Sequence, residues 1–128
     1  MSRFMKDRKN TKEKGDEGER HAASFLESEG FLVLDRNVRE RFGEVDIVAA
    51  KDGVIHFIEV KSSFSSNDMG WNPAEKVTPR KLRHIASVAG SYMERSGQIN
   101  DPWSIDVVVV YCAENGAAQV ELIPVVEA

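Results

Sequence analysis

Apolar and polar positions alternate with a period of two over residues 43–61, and the rest of the chain is organised around that stretch. The run GEVDIVAAKDGVIHFIEVK reads as two arms, 44–50 and 54–61, both rich in β-branched residues. Between them lie Asp52 and Gly53, a dipeptide suited to a two-residue type I′ turn. With Lys51 opposite Val54, opposed residue numbers add to 105, which sets Asp46 against Glu59 and Glu44 against Lys61. Directly opposed residues share a face. One face of the hairpin is therefore expected to carry three carboxylates and an ammonium, with Val45, Ile47, Ile58 and Val60 on a packed face.

The remaining pattern supplies two helices and three more strands. From residue 15 or 16 to residue 29, Ala22, Ala23, Phe25, Leu26 and Glu29 recur at helical spacing, and Gly30 is a natural stop. Glu19 lies three, four and seven residues before Ala22, Ala23 and Leu26, on the apolar stripe. It serves there either as a partner of the helix dipole or as a group reaching toward the charged face of the hairpin. Residues 31–34 predict a short strand, and Asp35, Arg36 and Asn37 a turn-like break. After Lys61 comes a loop, residues 62–73, containing Trp71. Thr78 as N-cap and Pro79 at the first helical position open a second helix, with a buried stripe of Leu82, Ile85, Ala86, Ala89 and Met93 and an end at Gly97. Residues 105–112 form a nearly continuous apolar run, expected to be a strand covered on both faces. Asn115 and Gly116 signal another hairpin, and Pro124 makes the last strand, 119–126, an edge. The order αβββαββ, with a helix long enough for a parallel crossover between the third and fourth strands, predicts a three-layer α/β/α sandwich around a mixed sheet.

Composition narrows the chemistry. A chain of 128 residues with 41% apolar and 30% charged residues holds one domain with a real core. The single cysteine, Cys112, excludes an intrachain disulfide and reads as a buried thiol, and one Cys with three scattered His does not make a zinc finger. No membrane-length apolar stretch or signal peptide is visible, so a cytoplasmic protein is expected. The net charge of −4 means that any affinity for nucleic acid must come from a local basic patch. Residues 1–14 hold six Lys or Arg against two acids, a local charge of +4, and are expected to form a flexible arm, with residues 15–128 as the domain. Arg39 and Arg41 alternate before the hairpin, where they either touch phosphate or pair with Glu40 and Glu44. Lys76, Arg80 and Lys81 gather around the start of the second helix and form a further basic patch.

Opposed carboxylates in otherwise apolar strands are costly without a partner. A hard divalent cation such as Mg²⁺ relieves that repulsion between Asp46 and Glu59 and also meets phosphate oxygens. Lys61, two residues past Glu59, points to the same side and could orient or deprotonate a water, or steady charge on a phosphate. The constellation suits metal-assisted phosphodiester hydrolysis. The competing reading is an exposed hairpin face laced with cross-strand ion pairs.

Asp46 followed by Glu59, Val60 and Lys61, with Glu19 on a preceding helix, resembles the PD-(D/E)XK nuclease superfamily. A closer resemblance, to the YraN-like family of small bacterial proteins, spans most of the chain. It rests on Gly18 and Glu19, Ala22 and Ala23, Phe25 and Leu26, Gly30 and Phe31, Arg36 and Asn37, Arg39 to Arg41, GEVDIVA from Gly43, FIEVK from Phe57, Pro73 to Glu75, VTPRK from Val77, and Ile105 to Val107. The resemblance implies a restriction-endonuclease-like fold, grouped with Holliday-junction resolvases. It implies Mg²⁺, with Mn²⁺ as substitute, on Glu19, Asp46 and Glu59, and Lys61 assisting the attacking water. Glu44 becomes an accessory carboxylate, and Arg39, Arg41, Lys76, Arg80 and Lys81 nucleic-acid contacts. Three positions depart from the family pattern: Ser63 and Ser104 stand where arginines are usual, and Lys76 where alanine is usual. These losses bear on phosphate affinity more than on chemistry. The function expected is a Mg²⁺-dependent endonuclease acting on DNA, in branched or repair intermediates, with a homodimer as a conceivable assembly. The alternative is a nucleic-acid-binding or protein-interaction module that keeps the fold with little or no catalysis. A weaker third reading is a structural partner that docks through Trp71.

Overall fold

Among the described residues, two helices clamp a five-stranded sheet whose strands lie side by side in chain order. A computed structural model describes residues 11–64 and 77–127. Within them run α1 (Thr11–Ser28), β1 (Leu32–Glu40), β2 (Gly43–Lys51), β3 (Val54–Ser63), α2 (Pro79–Arg95), β4 (Trp103–Cys112) and β5 (Ala118–Glu127). Neighbouring strands are antiparallel except β3 and β4, which run parallel across the connection that contains α2. This is the expected three-layer α/β/α sandwich with a mixed sheet, consistent with a restriction-endonuclease-like fold.

Each face of the sheet has its own core. Ala22, Leu26 and Phe31 pack with Ile47, Ala49, Ile58, Val108 and Val110 beneath α1. Ile85, Val88, Ala89 and Met93 of α2 pack with Val45, Val48, Ile55, Phe57 and Ile105 on the other side. Fully burying an aliphatic side chain of this size contributes about 1.5–3 kcal/mol. The connections follow from local chemistry. Asp52 (φ 51°) and Gly53 (φ 80°) form the tight β2–β3 turn, since type I′ needs positive φ at both positions. Helix α1 ends as expected: Phe31 N–H donates to Leu26 C=O and Gly30 N–H to Glu27 C=O, with Gly30 left-handed at φ 91°. Helix α2 opens on Thr78, whose hydroxyl accepts from Lys81 N–H at 3.1 Å, with Pro79 first in the helix.

Several expectations need correction. Helix α1 begins at Thr11, inside the segment expected to be an arm; residues 1–10 lie outside the described residues. The short strand and the break after it are one strand, β1, reaching Glu40. Its ladder shifts register between Val33 and Asp35, and Asn37 adopts a left-handed φ of 52°. Asn tolerates that conformation, so turn-like composition marks a kink within a strand rather than its end. In α2, Val88 is buried and Ala86 is exposed, the reverse of the expected stripe at that turn. Cys112 is half-buried, not fully buried. Strands β4 and β5 extend slightly beyond their expected limits, and Pro124 does fall on the edge strand. No helix among the described residues is long and apolar enough to cross a membrane.

Candidate active site where β2 and β3 diverge

The β2–β3 pairing keeps its residue sum of 105 from the turn out to Ile47 and Ile58, where the continuous register stops. Alternating hydrogen-bonded pairs would next bring Val60 N–H to Val45 C=O. The Val60 N–H donates instead to Asp46 Oδ2, at 2.7 Å. On the other side of β2, the register passes from Arg36 with Ile47 to Val38 with Val45 and omits Asn37 and Asp46. Val45 and Ile47 face opposite cores, although residues two apart in a regular strand share a face. The expectation of one packed face holding Val45 and Ile47 together is thus wrong, because β2 slips out of alternation at Asp46.

That slip opens a cleft of about 410 Å³ lined by Lys14, Glu19, Asp46, Glu59, Ser62 and Phe64. Glu59 is 7% exposed and lies between two ammonium groups. Lys61 Nζ stands 3.5 Å from its Oε1, and Lys81 Nζ, from α2, 3.6 Å from its Oε2. Glu19 reaches the cleft from α1, with Arg36 Nη2 at 3.8 Å and the Asn37 side chain hydrogen-bonded to it. The helix can come this close because position 18 is glycine: a Cβ there would fall 1.8 Å from Ser62 Oγ.

The electrostatics follow from crowding. Burial, and next the charge of Glu59, push the Asp46 carboxyl up to about 7; the Val60 N–H opposes this, and Glu19 and Glu44 add to it. Burial also raises Glu19, against the pull of Arg36 and Asn37. Glu19, Asp46 and Glu59 line one cleft, but their carboxylate oxygens do not all lie within 4.8 Å of one another, so side-chain movement would be needed for the three to share one cation. Glu19, Asp46 and Glu59 are the groups that could hold it.

The other predicted residues divide. Glu44 does not meet Lys61; it pairs with Arg39 across β1 and β2, Nε to Oε2 at 3.5 Å. The geometric cause is the end of the β2–β3 ladder three steps earlier, at Ile47 and Ile58. Arg41 lies in the β1–β2 turn, outside the strand, with its guanidinium over the Phe42 ring. Arg80 is exposed on the first turn of α2. Lys76 and Trp71 lie outside the described residues. Ser63 and Ser104 are both buried, so neither occupies a surface where it could contact phosphate. A larger cleft, about 750 Å³, sits by the β4–β5 turn and contains none of the predicted site residues.

A buried polar cluster went unread in the sequence. His56 Nδ1 lies 2.5 Å from Asp106 Oδ2 and 2.7 Å from Ser104 Oγ, and the serine hydroxyl donates to the same carboxylate at 3.2 Å. The Phe31 ring meets the imidazole edge-on, centroids 5.0 Å apart. No spacing rule links His56 to residues about fifty positions away; the parallel β3–β4 register, His56 beside Ser104, does so. Asn37 was likewise missed as a partner of Glu19, although its tolerance of left-handed backbone was a usable signal.

Comparison with known proteins places the chain. The model of the "Uncharacterised protein family UPF0102" matches residues 18–110. A UPF0102 protein of Sulfurovum sp. (strain NBC37-1) is 45% identical over 97 residues, covering 75% of this chain and 81% of its own. One from Clostridioides difficile (strain 630) is 41% identical over 105 residues, 82% of this chain and 90% of its own. One from Symbiobacterium thermophilum is 39% identical over 109 residues, 85% and 91% of the two chains. The matched span contains Glu19, Asp46, Glu59 and Lys61 together with both helices' core stripes, and the chain belongs to the UPF0102 family.

Proposed function

We propose that this protein is a Mg²⁺-dependent endonuclease, with Mn²⁺ able to substitute, that hydrolyses phosphodiester bonds in DNA, in branched or repair intermediates. The observation that carries the reading is Asp46: a carboxyl at a break in the β2–β3 ladder, raised to about 7 by burial and by Glu59, in a cleft shared with Glu19. The donors are all carboxylate oxygens, which fits a hard divalent ion. Glu19, Asp46 and Glu59 would hold it, and it would supply Lewis acidity at a phosphoryl oxygen.

The chain's own groups do the rest. Lys61, paired with Glu59 as its ammonium, orients a water for in-line attack; the water oxygen forms the new bond to phosphorus as the scissile P–O bond breaks, the water's proton passing to solvent and the leaving oxygen taking one from solvent. Lys81 shares Glu59 with Lys61 and balances its charge before substrate arrives. Glu44 biases the site electrostatically from its edge. Arg80, Arg41 and Lys76 contact phosphate, and Arg39 joins them when it leaves Glu44. The resemblance to PD-(D/E)XK nucleases supports the same assignment.

A second reading, a nucleic-acid or protein-interaction module with little catalysis, is favoured by the commitment of Lys61, Lys81 and Arg39 to carboxylates in a chain of net charge −4. Cleavage of plasmid and four-way-junction DNA with Mg²⁺ or Mn²⁺ separates the two. The nuclease reading expects cutting that falls about 10²–10⁴-fold in Lys61→Met and at least as far in Asp46→Ala. Cutting unchanged in both variants, or junction binding with no metal-dependent cutting, would overturn it. Sedimentation with and without the junction tests a homodimer.

A further inference from the structure

Glu17 and His21 stand one turn apart on α1, and Cys112 closes β4. One carboxylate oxygen, one imidazole nitrogen and the cysteine sulfur lie within 4.8 Å of one another, all on half-buried side chains. His21 Nε2 is 3.8 Å from Glu17 Oε1.

This cluster is separate from the carboxylate cleft. Residues two apart on a helix point about 200° apart, so Glu17 and Glu19 look to different sides of α1. Glu19 meets Arg36 of β1, whereas the partner of Glu17 and His21 belongs to β4, at the other half of the sheet. The donor sets differ in kind as well. The cleft offers oxygen alone; this cluster offers sulfur, imidazole nitrogen and carboxylate oxygen. Such a mixture suits Zn²⁺, which binds thiolate at about 2.3 Å and imidazole or carboxylate at about 2.0–2.2 Å in a tetrahedron, and does not suit Mg²⁺. Those bond lengths put tetrahedral ligand atoms about 3.4–3.6 Å apart. The His21–Glu17 pair, at 3.8 Å, is already close to that spacing, and the sulfur lies within 4.8 Å of both atoms. Three protein ligands leave a fourth position, and Cys112 also lines the larger cleft beside the β4–β5 turn.

We propose that Glu17, His21 and Cys112 bind a borderline-soft divalent cation of the zinc class, which ties α1 to the end of β4. Binding releases the thiol proton. Because α1 also carries Glu19, occupancy of this site sets how firmly that carboxylate is held over the sheet.

The test is titration of the metal-free full-length chain with Zn²⁺ by calorimetry, and with Co²⁺ as a spectroscopic probe. The expected result is one equivalent of zinc at this site, with a thiolate-to-cobalt charge-transfer band and tetrahedral d–d bands. Cys112→Ser removes the charge-transfer band, and Cys112→Ser and His21→Ala each weaken zinc binding by about 100-fold or more. The double variant Asp46→Asn, Glu59→Gln leaves zinc binding unchanged, so the outcome does not depend on the nuclease reading. His21 is more exposed than its partner Glu17, so His21→Ala remains informative should Cys112→Ser fold poorly. Absence of stoichiometric zinc binding, a cobalt complex without thiolate charge transfer, or zinc binding lost only in the Asp46, Glu59 variant would each overturn the proposal.

Discussion

Two aspartates on neighbouring parts of one sheet, Asp106 buried and Asp46 half-buried, have opposite surroundings. Asp106, 2% exposed, has His56 and Ser104 on its carboxylate. Asp46 has one backbone N–H, from Val60, and otherwise faces the acids Glu59, Glu19 and Glu44. The first arrangement satisfies a buried acid with neighbours already in the fold. The second leaves an acid whose ionised form is opposed by burial and by three neighbouring carboxylates and favoured by one amide, the pattern that marks it as a functional candidate. Burial raises the cost of ionising either acid; what separates them is the sign of the surrounding charge.

Four measurements would break or sharpen that contrast. The largest change is expected from Asp106→Ala, which strands His56 and Ser104 in the core and costs about 3 kcal/mol in urea unfolding. A loss below about 1 kcal/mol would show that Asp106 is not a structural anchor. Asp46→Asn should act in the other direction. Its carboxyl titrates near 7 when folded and near the ordinary 3.8 when unfolded. Below pH 3.8 both states hold the proton. Between 3.8 and 7 only the folded state does, so stability falls as pH rises, and above 7 the penalty is complete. Asparagine keeps an acceptor for Val60 N–H without the charge. The full shift corresponds to about 4 kcal/mol; because Asp46 is only half-buried and a neutral amide bonds the Val60 N–H more weakly than a carboxylate does, the variant should gain about 2 kcal/mol over wild type at pH 8 and nothing at a pH below the unfolded value, read from urea midpoints at both. A variant no more stable than wild type at pH 8 would mean that Asp46 is not strained.

Smaller effects concern the cation. Added Mg²⁺ at about ten times its dissociation constant should stabilise the wild type by roughly 1.4 kcal/mol. The gain should be larger at pH 8 than at pH 6, where the ion must displace the Asp46 proton, and absent in Asp46→Asn, as thermal melts would record. Equal stabilisation of both proteins would place the ion elsewhere. The smallest expected change is in Arg39→Ala: its pair with Glu44 is exposed, so stability should move by about 0.5 kcal/mol or less. In junction-binding titrations across salt concentrations, the same variant should lower the salt slope by about 1 if Arg39 reaches phosphate.

Much of this architecture was legible before any coordinates. Asp52 and Gly53 announced the turn, Gly30 and Thr78 announced helix ends, and the apolar periods sorted helices from strands. Such signals are local, carried by the φ preferences and hydrogen bonds of a few residues. The hairpin register was readable for the same reason, and it failed where the ladder itself fails, at Asp46. Extrapolating past Ile47 paired Glu44 with Lys61, whereas the strands have parted by then and each residue has taken another partner. The turn-like run Asp35, Arg36, Asn37 misled because Asn37 uses its left-handed conformation inside a strand. The His56, Ser104 and Asp106 cluster depends on a parallel pairing across the α2 crossover, and no local preference encodes it. What could be read was what the chain does with its neighbours in sequence; what could not was where two strands stop agreeing.

The missing side chain at Gly18 has a consequence for any attempt to redesign this protein. A Cβ there would fall 1.8 Å from Ser62 Oγ and 3.0 Å from Ser62 Cβ: alanine would make the serine hydroxyl rotate away and leave the helix tight against the third strand, and any longer side chain would push the two apart. That push would carry the adjacent glutamate with it, so a variant with every carboxylate in place could still be out of alignment.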